Sequence, residues 1–327
     1  MRATAIPLVF GLVFAPPTLA AADEVVIGVP SWSSGVATAH VLKAAIEDSF
    51  EVSVDLLRDS NAALFEAMDA GTAHIHPEVW LPNHADLSNA YIVERKTVAM
   101  SPRGMPASQG ICTTRNTKEA HGVTSVDDLA DPDTAALFDT TGDGRGEMWI
   151  GASEWASTQI ERVRAHSYGH AETMQLIEAE EEIAAAMIDA AVAVDKPLVF
   201  YCYQPHHVFE LHDIVQLDEP VHDPRRWTIL SPTDDAEWLE NSRADVAWPV
   251  SFFHIHYARA LAEDHPEIAA FLDAVELDVD TVSEMTYALI VERRDAEEFA
   301  LDWVKANEQR VSSWHERARR RGNDGLD

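Results

Sequence analysis

The chain has few lysines, and basic residues as a whole are scarce. Lysine and arginine together number 24, against 56 aspartate and glutamate residues, and only five of the 24 are lysine. The formal charge is therefore −32 at pH 7. A surface this acidic repels phosphate backbones and anionic lipid headgroups, so we expect no nucleic-acid partner and no membrane-surface partner.

Cysteine is almost absent, since Cys112 and Cys202 are the only two. Both lie in apolar runs that are typical of strands, and free cysteines are common in such buried positions. In an oxidising compartment a disulfide between them is also possible. We therefore expect two buried thiols and keep the Cys112–Cys202 disulfide as the alternative.

Long apolar runs are confined to the amino terminus. Ile6–Phe14 is apolar and follows Arg2, and Ala20–Ala22 supplies a small-residue cleavage site. This arrangement is typical of a secretory signal peptide, which we assign to residues 1–22. Because no later run reaches about 18 uninterrupted apolar residues, we expect an exported, soluble protein located in the periplasm.

Sequence signatures of common enzymes are missing as well. The chain has no Gly-x-Ser-x-Gly, no His-Glu-x-x-His, no Gly-x-x-x-x-Gly-Lys and no dinucleotide-binding fingerprint. We therefore predict neither catalysis nor a bound cofactor. A hydrolase that uses Ser153 or Asp139 is the rival interpretation, although no motif points to it.

The region after the signal peptide alternates between predicted strands and helices. In chain order these are Glu24–Val29, a helix from Ser33 to Asp48, Val52–Leu57, a helix over Asn61–Ala70 and a strand that leads to Trp80. This order predicts a parallel sheet with right-handed crossovers. Three helices are predicted near the carboxyl end, over Pro266–Val275, Val282–Glu292 and Ala296–Arg319.

The length of 327 residues exceeds the usual size of a single core, so two α/β lobes are expected. We assign residues 23–110 and 246–327 to lobe I and residues 111–245 to lobe II. The chain then crosses between the lobes twice and leaves a cleft between them.

Four aromatic residues occupy similar positions, at the ends of predicted strands. They are Trp32, Trp80, Trp155 and Tyr203. Ligands of open α/β sheets bind beyond the carboxyl ends of the strands. Loop packing would explain any one of the four, but together they predict one pocket with aromatic walls.

Ala156 and Ser157 follow Trp155 and open a predicted helix, so their backbone N–H groups form a natural anion site. An aromatic box beside this site suits a ligand with a methylated cationic head and a carboxylate tail. A quaternary ammonium has no N–H donor to leave unsatisfied, and a desolvated cation–π contact contributes about 2 kcal/mol.

The chain after the signal peptide resembles, end to end, the substrate-binding proteins of ABC importers for glycine betaine, proline betaine, choline and carnitine. The resemblance rests on Pro-Ser-Trp-Ser-Ser-Gly around Trp32, Val-Trp-Leu-Pro-Asn around Trp80, Leu137–Gly144, Gly-Ala-Ser-Glu-Trp ending at Trp155, Tyr-Gln-Pro-His-His from Tyr203, Trp248–Ser251 and Trp303–Asn307. It implies a two-lobe periplasmic-binding-protein fold of the second topological type, with an aromatic cage that closes on the ligand. It also implies ABC permease and ATPase subunits as partners, and we expect a monomer.

Two residues depart from the family pattern. Tyr203 stands where many betaine binders have tryptophan, and Glu154 stands where a small residue is usual. An inward Glu154 would repel a ligand carboxylate and favour choline or trimethylamine N-oxide. We expect Glu154 to face solvent, which keeps betaines ahead. The sulfonium compound dimethylsulfoniopropionate remains an alternative, as does an amino acid such as proline or histidine.

Two further groups of residues are weighed as ligand or metal contacts. His206 follows Tyr203 by three residues, and we expect it to hydrogen-bond a ligand oxygen. Paired histidines such as His206-His207 lack a carboxylate to complete a metal set. A calcium loop is conceivable over Asp139, Thr141, Asp143 and Glu147. A turn held by Asx hydrogen bonds is favoured, because Ile150 stands where a bidentate glutamate is needed.

Overall fold

A computed structural model describes residues 24–233 and 235–324. The predicted signal peptide over residues 1–22 lies outside this part of the chain. None of the described helices is both long enough and apolar enough to cross a membrane.

The chain forms twelve β-strands in the described residues. They are β1 (Glu24–Val29), β2 (Ser53–Arg58), β3 (Ile75–Leu81), β4 (Val98–Met100), β5 (Met105–Thr114), β6 (Gly146–Gly151), β7 (Met174–Glu178), β8 (Val199–Gln204), β9 (Ile214–Gln216), β10 (Trp227–Thr228), β11 (Arg243–Ala244) and β12 (Ser251–Ala258).

Fourteen α-helices lie between and after these strands in the same described residues. They are α1 (Ser33–Ser49), α2 (Asn61–Ala70), α3 (Ala85–Asn89), α4 (Arg115–His121), α5 (Pro132–Ala135), α6 (Ala156–Tyr168), α7 (Glu181–Ala193), α8 (Val208–Leu211), α9 (Trp238–Asn241), α10 (Arg259–Asp264), α11 (Pro266–Ala274), α12 (Val279–Ile290), α13 (Ala296–Ala306) and α14 (Glu308–Asp324). Shorter 3-10 or π turns span Ala90–Glu94, Val126–Ala130, Ala136–Phe138 and Pro224–Arg226.

Ten strands form one mixed sheet with two parallel halves. The order along the sheet is β2-β1-β3-β12-β5-β8-β6-β7, with β4 beside β12 and β9 beside β5. Strands β2, β1 and β3 are parallel, as are β8, β6 and β7. Between these halves β12 and β5 run antiparallel to their neighbours. The predicted β-α-β-α-β start is confirmed, and α2 ends as expected at Gly71, whose φ of 72° favours glycine.

Strand β5 joins the two halves of the sheet. Its first residues, Met105 to Ala107, pair with β12, and Ser108 to Thr113 pair with β8. The lobe assignment places a boundary between residues 110 and 111, but a single strand runs from Met105 to Thr114 because both β12 and β8 supply partners for it. The proposed lobe boundary after Gly110 therefore lies inside β5.

The prediction of two buried thiols is wrong, because Cys112 and Cys202 form a disulfide with a Cα–Cα distance of 5.7 Å. Cys112 lies on β5 and Cys202 on β8, and these strands are antiparallel neighbours. Adjacent strands bring diagonal residues within bonding reach. The two cysteines lie 90 residues apart in sequence, so only the sheet order reveals the pairing.

The prediction of one helix over Ala296–Arg319 is also wrong. The helix breaks at Asn307, whose side-chain amide donates to the carbonyl oxygen of Trp303 at 2.9 Å. Asparagine often bonds the backbone in this way and so favours helix ends over helix interiors. The break folds α14 back so that Trp303 and Trp314 stack, with ring centroids 6.2 Å apart.

Candidate ligand-binding site

The four aromatic residues predicted from the sequence line one cavity where the two halves of the sheet meet. The cavity encloses about 360 Å³ of space that no protein atom fills, part of it open to solvent. Its lining residues are Trp32, Asn61, Trp80, Asn83, His84, Gln109, Trp155, Ala156, Ser157, Tyr201 and Tyr203.

Each cage residue is held by the end of a regular element. Trp80 lies in β3 and Tyr203 in β8, near the carboxyl end of each strand. Trp32 and Trp155 are the residues immediately before α1 and α6. Extended backbone at these two positions (φ −84° and −76°) turns the chain from strand to helix and leaves each indole beside the cavity.

The four rings form a chain of nearly perpendicular contacts. Trp32 and Trp155 have ring centroids 6.5 Å apart at 87°, and Trp155 and Tyr203 are 6.0 Å apart at 79°. Trp80 and Tyr203 are 5.5 Å apart at 86°. Edge-to-face packing of this kind fixes ring orientation. Each of the four is buried, with at most 7 % of its surface exposed.

Glu78 connects two of the four aromatic residues, Trp32 and Trp80, and the sequence analysis did not predict it as a site residue. Its Oε1 atom accepts hydrogen bonds from Nε1 of Trp32 and Nε1 of Trp80, each at 2.8 Å. The hydroxyl groups of Ser34 and Thr38 also donate to its carboxylate, at 2.6 and 3.4 Å. Burial raises the pKa of Glu78 to about 7, although these hydrogen bonds lower it. A usable signal was present, since a charged residue two positions before Trp80 lies on the same face of the strand.

Polar groups occupy the wall beside the start of α6. Ala156 and Ser157 are the first residues of this helix and line the cavity, as predicted. No side chain caps the helix at Trp155. His84 also lines the cavity, and burial lowers its pKa to about 4, so its ring is neutral at pH 7. His84 was not predicted, although it follows Trp80 by only four residues.

A network of amide and hydroxyl groups supports this wall. The side chains of Asn83 and Gln109 exchange two hydrogen bonds, at 2.8 and 2.9 Å. The Tyr201 hydroxyl donates to Oε1 of Gln109 at 2.8 Å. Such a network keeps the polar lining in fixed positions when water leaves the cavity.

Glu154 is exposed and does not line the cavity. Its carboxylate accepts a hydrogen bond from the Ser31 hydroxyl at 2.7 Å, and Nε1 of Trp155 donates to the same hydroxyl oxygen at 3.0 Å. The Glu154 side chain therefore has the solvent-facing orientation that we expected.

The structure directs His206 away from the cavity, contrary to our expectation. Its Nε2 atom lies 2.9 Å from Oε1 of Glu181, which also accepts a hydrogen bond from the Tyr203 hydroxyl. The other oxygen of Glu181 accepts from the backbone N–H of Ser33 at 2.7 Å. Burial raises the pKa of Glu181, but the bonds from His206, Tyr203 and Ser33 outweigh it and lower the pKa to about 2.

In the candidate calcium loop, carboxylates accept backbone hydrogen bonds. Asp139 accepts from the N–H groups of Thr141, Gly142 and Gly144, at 3.2, 2.6 and 2.9 Å. Glu147 accepts from Thr140 and Thr141. No group of three or more metal-ligating side chains is placed to hold an ion in the described residues. The arrangement favours the turn held by Asx hydrogen bonds.

The fold and the cavity together define a class of protein. Two parallel sheet halves that meet at a cavity with aromatic walls are the architecture of a two-lobe solute-binding protein. The chain belongs to the family described as the substrate-binding domain of ABC-type glycine betaine transport systems, whose profile matches residues 23–306.

Individual relatives have low sequence identity to this chain, although the solved structures among them share its fold. A glycine betaine/proline betaine-binding periplasmic protein of Salmonella typhimurium is 23% identical over 259 residues, which are 76% of each chain. Lactococcal OpuAC, solved closed with glycine betaine, has a TM-score of 0.66 at 18% identity, covering 90% of this chain and 99% of that one. A choline-binding protein solved with choline has a TM-score of 0.67 at 16% identity, covering 89% and 91%.

Proposed function

We propose that this protein captures glycine betaine, or a closely similar methylated zwitterion, and delivers it to an ABC importer. The observation that carries the proposal is the ring of Trp32, Trp80, Tyr203 and Trp155 around one cavity beside the start of α6. A trimethylammonium head fits such a box because it needs no hydrogen-bond acceptor.

The ligand carboxylate is proposed to meet the start of α6, next to the aromatic ring. There the N–H groups of Ala156 and Ser157 begin the helix, whose dipole favours a negative charge at this end. Neutral His84 also lines the cavity and can donate a hydrogen bond to a ligand. A zwitterion satisfies both ends of the cavity, whereas choline brings no carboxylate to the helix.

The orientation of Glu154 supports this preference. A carboxylate inside the cavity would favour a purely cationic ligand, but Glu154 is exposed and bonded to Ser31. We therefore place betaines ahead of choline and trimethylamine N-oxide. Dimethylsulfoniopropionate has a cationic head and a carboxylate, so it is the next candidate in the same cage.

The remaining features of the proposal concern the whole protein. We propose that residues 23–110 and 246–327 form lobe I, that residues 111–245 form lobe II, and that the lobes close on the ligand. Periplasmic export by a signal peptide over residues 1–22 agrees with the location named for the Salmonella relative. The monomer would pass its ligand, chemically unchanged, to permease and ATPase subunits.

Calorimetry at fixed salt tests the proposal directly. We expect glycine betaine to bind more tightly than dimethylglycine and to bind far more tightly than glycine, because each lost methyl group exposes an N–H donor to an aromatic wall. Choline and proline should be weaker than glycine betaine. Equal or tighter choline binding would contradict the carboxylate assignment, and strong glycine binding would contradict the cage.

A further inference from the structure

The carboxylate of Glu78 accepts hydrogen bonds from Trp32 and Trp80, the two tryptophans that lobe I contributes to the proposed cage. We propose that Glu78 is a specificity-determining residue, whose negative charge makes the cavity prefer a cationic head over a neutral head of the same shape. The inference rests on the proposed function, and it assigns to one buried residue a selectivity that an aromatic box alone does not explain.

The geometry joins Glu78 to both cage tryptophans through a single oxygen atom. Oε1 accepts from Nε1 of Trp32 and Nε1 of Trp80, each at 2.8 Å, and from the hydroxyl of Ser34 at 2.6 Å. Oε2 accepts from Thr38 at 3.4 Å. All four donors are uncharged, and Glu78 is fully buried and has no ion-pair partner in the part of the chain described.

A buried carboxylate without an ion-pair partner is costly, because the hydrogen bonds replace only part of its lost hydration. A glutamine could hold both indole groups with the same carbonyl geometry at a lower cost. The need to position the two tryptophans therefore explains why the residue at position 78 accepts hydrogen bonds, but it does not explain why that residue is a charged glutamate. A cationic ligand bound on the other side of the two rings explains the negative charge.

Two effects connect the charge to the ligand. An anion that accepts an indole N–H pushes electron density into the ring, which makes the ring face more attractive to a cation. The carboxylate also attracts the cationic head directly, and the attraction is stronger in a dry cavity than in water. Both effects vanish for a ligand with a neutral head.

The test compares two ligands of equal shape in two proteins. Glycine betaine and 3,3-dimethylbutanoate differ only in the nitrogen or carbon at the centre of the head, and both carry the carboxylate. In wild type we expect glycine betaine to bind more tightly. In Glu78→Gln, betaine affinity should fall about 10- to 100-fold, while 3,3-dimethylbutanoate affinity should change less than about twofold.

Glu66→Gln is the matched control, because Glu66 is an exposed glutamate on α2 in the same half of the sheet. It removes the same charge from the surface, where water and salt screen it. Both ligands should bind this variant as they bind wild type. A drop in betaine affinity equal to that of Glu78→Gln would show a general charge effect and overturn the proposal.

The pH profile gives a second readout. Burial raises the pKa of Glu78 to about 7, so its charge is mostly lost at pH 6 and mostly present at pH 8. Its neighbours His76 and Tyr203 do not titrate in this window, because burial drives the pKa of His76 well below 6.5 and that of Tyr203 well above 10. The other contacts, on α1 and β3, are the uncharged donors named above.

We therefore expect betaine affinity of wild type to rise from pH 6 to pH 8, and the rise to be absent in Glu78→Gln. The Glu181–His206 pair lies behind Tyr203 and is present in both proteins, so the comparison cancels its contribution. Affinity for 3,3-dimethylbutanoate should stay constant or fall slightly, because its head is neutral.

Further results would overturn the inference. Equal losses for both ligands in Glu78→Gln would show a positioning role only, and unchanged binding of both would show that the charge is not used. If wild type binds neither ligand, the proposed function itself fails. Should Glu78→Gln not fold, the wild-type pH profiles of the two ligands still decide the matter, since parallel profiles contradict a role for the charge.

Discussion

At the scale of single residues, the proposed cage offers a ligand both the apolar contact area and the π faces of its large aromatic side chains. Trp80 contacts Tyr203 and Phe253, with ring centroids 5.5 and 5.3 Å apart, and Trp155 contacts Trp149 and Tyr203 at 5.8 and 6.0 Å. These edge-to-face and tilted contacts hold each indole in one orientation in the arrangement that the structure shows.

Substitution of the cage tryptophans distinguishes the cation–π contribution to ligand binding from the contribution of apolar contact. Trp80→Leu or Trp155→Leu keeps part of the contact but removes the π face. At about 2 kcal/mol per desolvated face, betaine binding should weaken about thirtyfold. Trp80→Phe and Trp155→Phe should lose much less, because a smaller π face remains.

Calorimetry on the four variants, with circular dichroism as a check of folding, measures this difference. Leucine variants that bind like wild type would show that the box is only an apolar pocket.

At the scale of elements, the start of α6 is the proposed carboxylate site, and proline can test it without breaking the helix. Ala156 is the first residue of α6, a position where proline is well tolerated. The preceding Trp155 has φ −76° and ψ 136°, which is the conformation that a following proline requires. Ala156→Pro therefore removes one N–H donor and leaves the helix in place.

We expect Ala156→Pro to weaken glycine betaine binding about tenfold or more, the range for a lost hydrogen bond to a charged group. Choline binding should change little, since choline has no carboxylate. Ala156→Gly is the control that keeps the N–H group, and it should bind betaine nearly as wild type does. Equal losses for both ligands in Ala156→Pro would indicate distortion of the cage and contradict the site.

Helix α1 begins at Ser33, whose N–H is satisfied from the other half of the sheet by Glu181 on α7. The folded pKa of Glu181, about 2, lies below the ordinary value of 4.5. Its contribution to stability is therefore complete above pH 4.5 and is lost as the pH falls toward 2.

We predict that unfolding free energy declines less steeply between pH 5 and pH 3 in Glu181→Gln than in wild type. Urea unfolding at several pH values measures both slopes. Glu182→Gln alters an exposed neighbour on the same helix and should retain the wild-type slope. A slope in Glu181→Gln equal to that of wild type would contradict the assignment.

At the scale of the whole molecule, hydrogen bonds join the two proposed lobes beside Trp32. Ser31 bonds Glu154 and Trp155, and Ser33 bonds Glu181. Because these contacts flank Trp32, separation of the proposed lobes would break them and move Trp32 away from Trp155.

We predict that the ligand-free protein is more extended in solution than the betaine complex. Small-angle scattering with and without saturating glycine betaine measures the radius of gyration of both states. A decrease on binding is expected, because the ligand stabilises the closed arrangement. An unchanged radius, with binding confirmed by calorimetry, would contradict closure of the lobes.

The sequence by itself determined the β-α-β-α-β start, the four aromatic residues that line the cavity and the start of α6. These features are local: apolar periodicity sets each element, and an aromatic residue at a strand end is visible within ten residues of chain. The motifs around Trp80 and Leu137–Gly144 also indicated the family that the comparisons confirm. Glu78 and His84 lay within the same stretch as Trp80 and could have been inferred from its spacing.

The tertiary structure alone decided which distant groups meet. The neighbouring positions of β5 and β8 decided the Cys112–Cys202 disulfide, and the approach of α7 to α1 made Glu181 and Ser33 a contact between the two halves. Such contacts join residues far apart in sequence, and local patterns carry no information on which strands become neighbours. The buried charge of Glu78 belongs to the same category, since its partners Ser34 and Trp32 lie on another element.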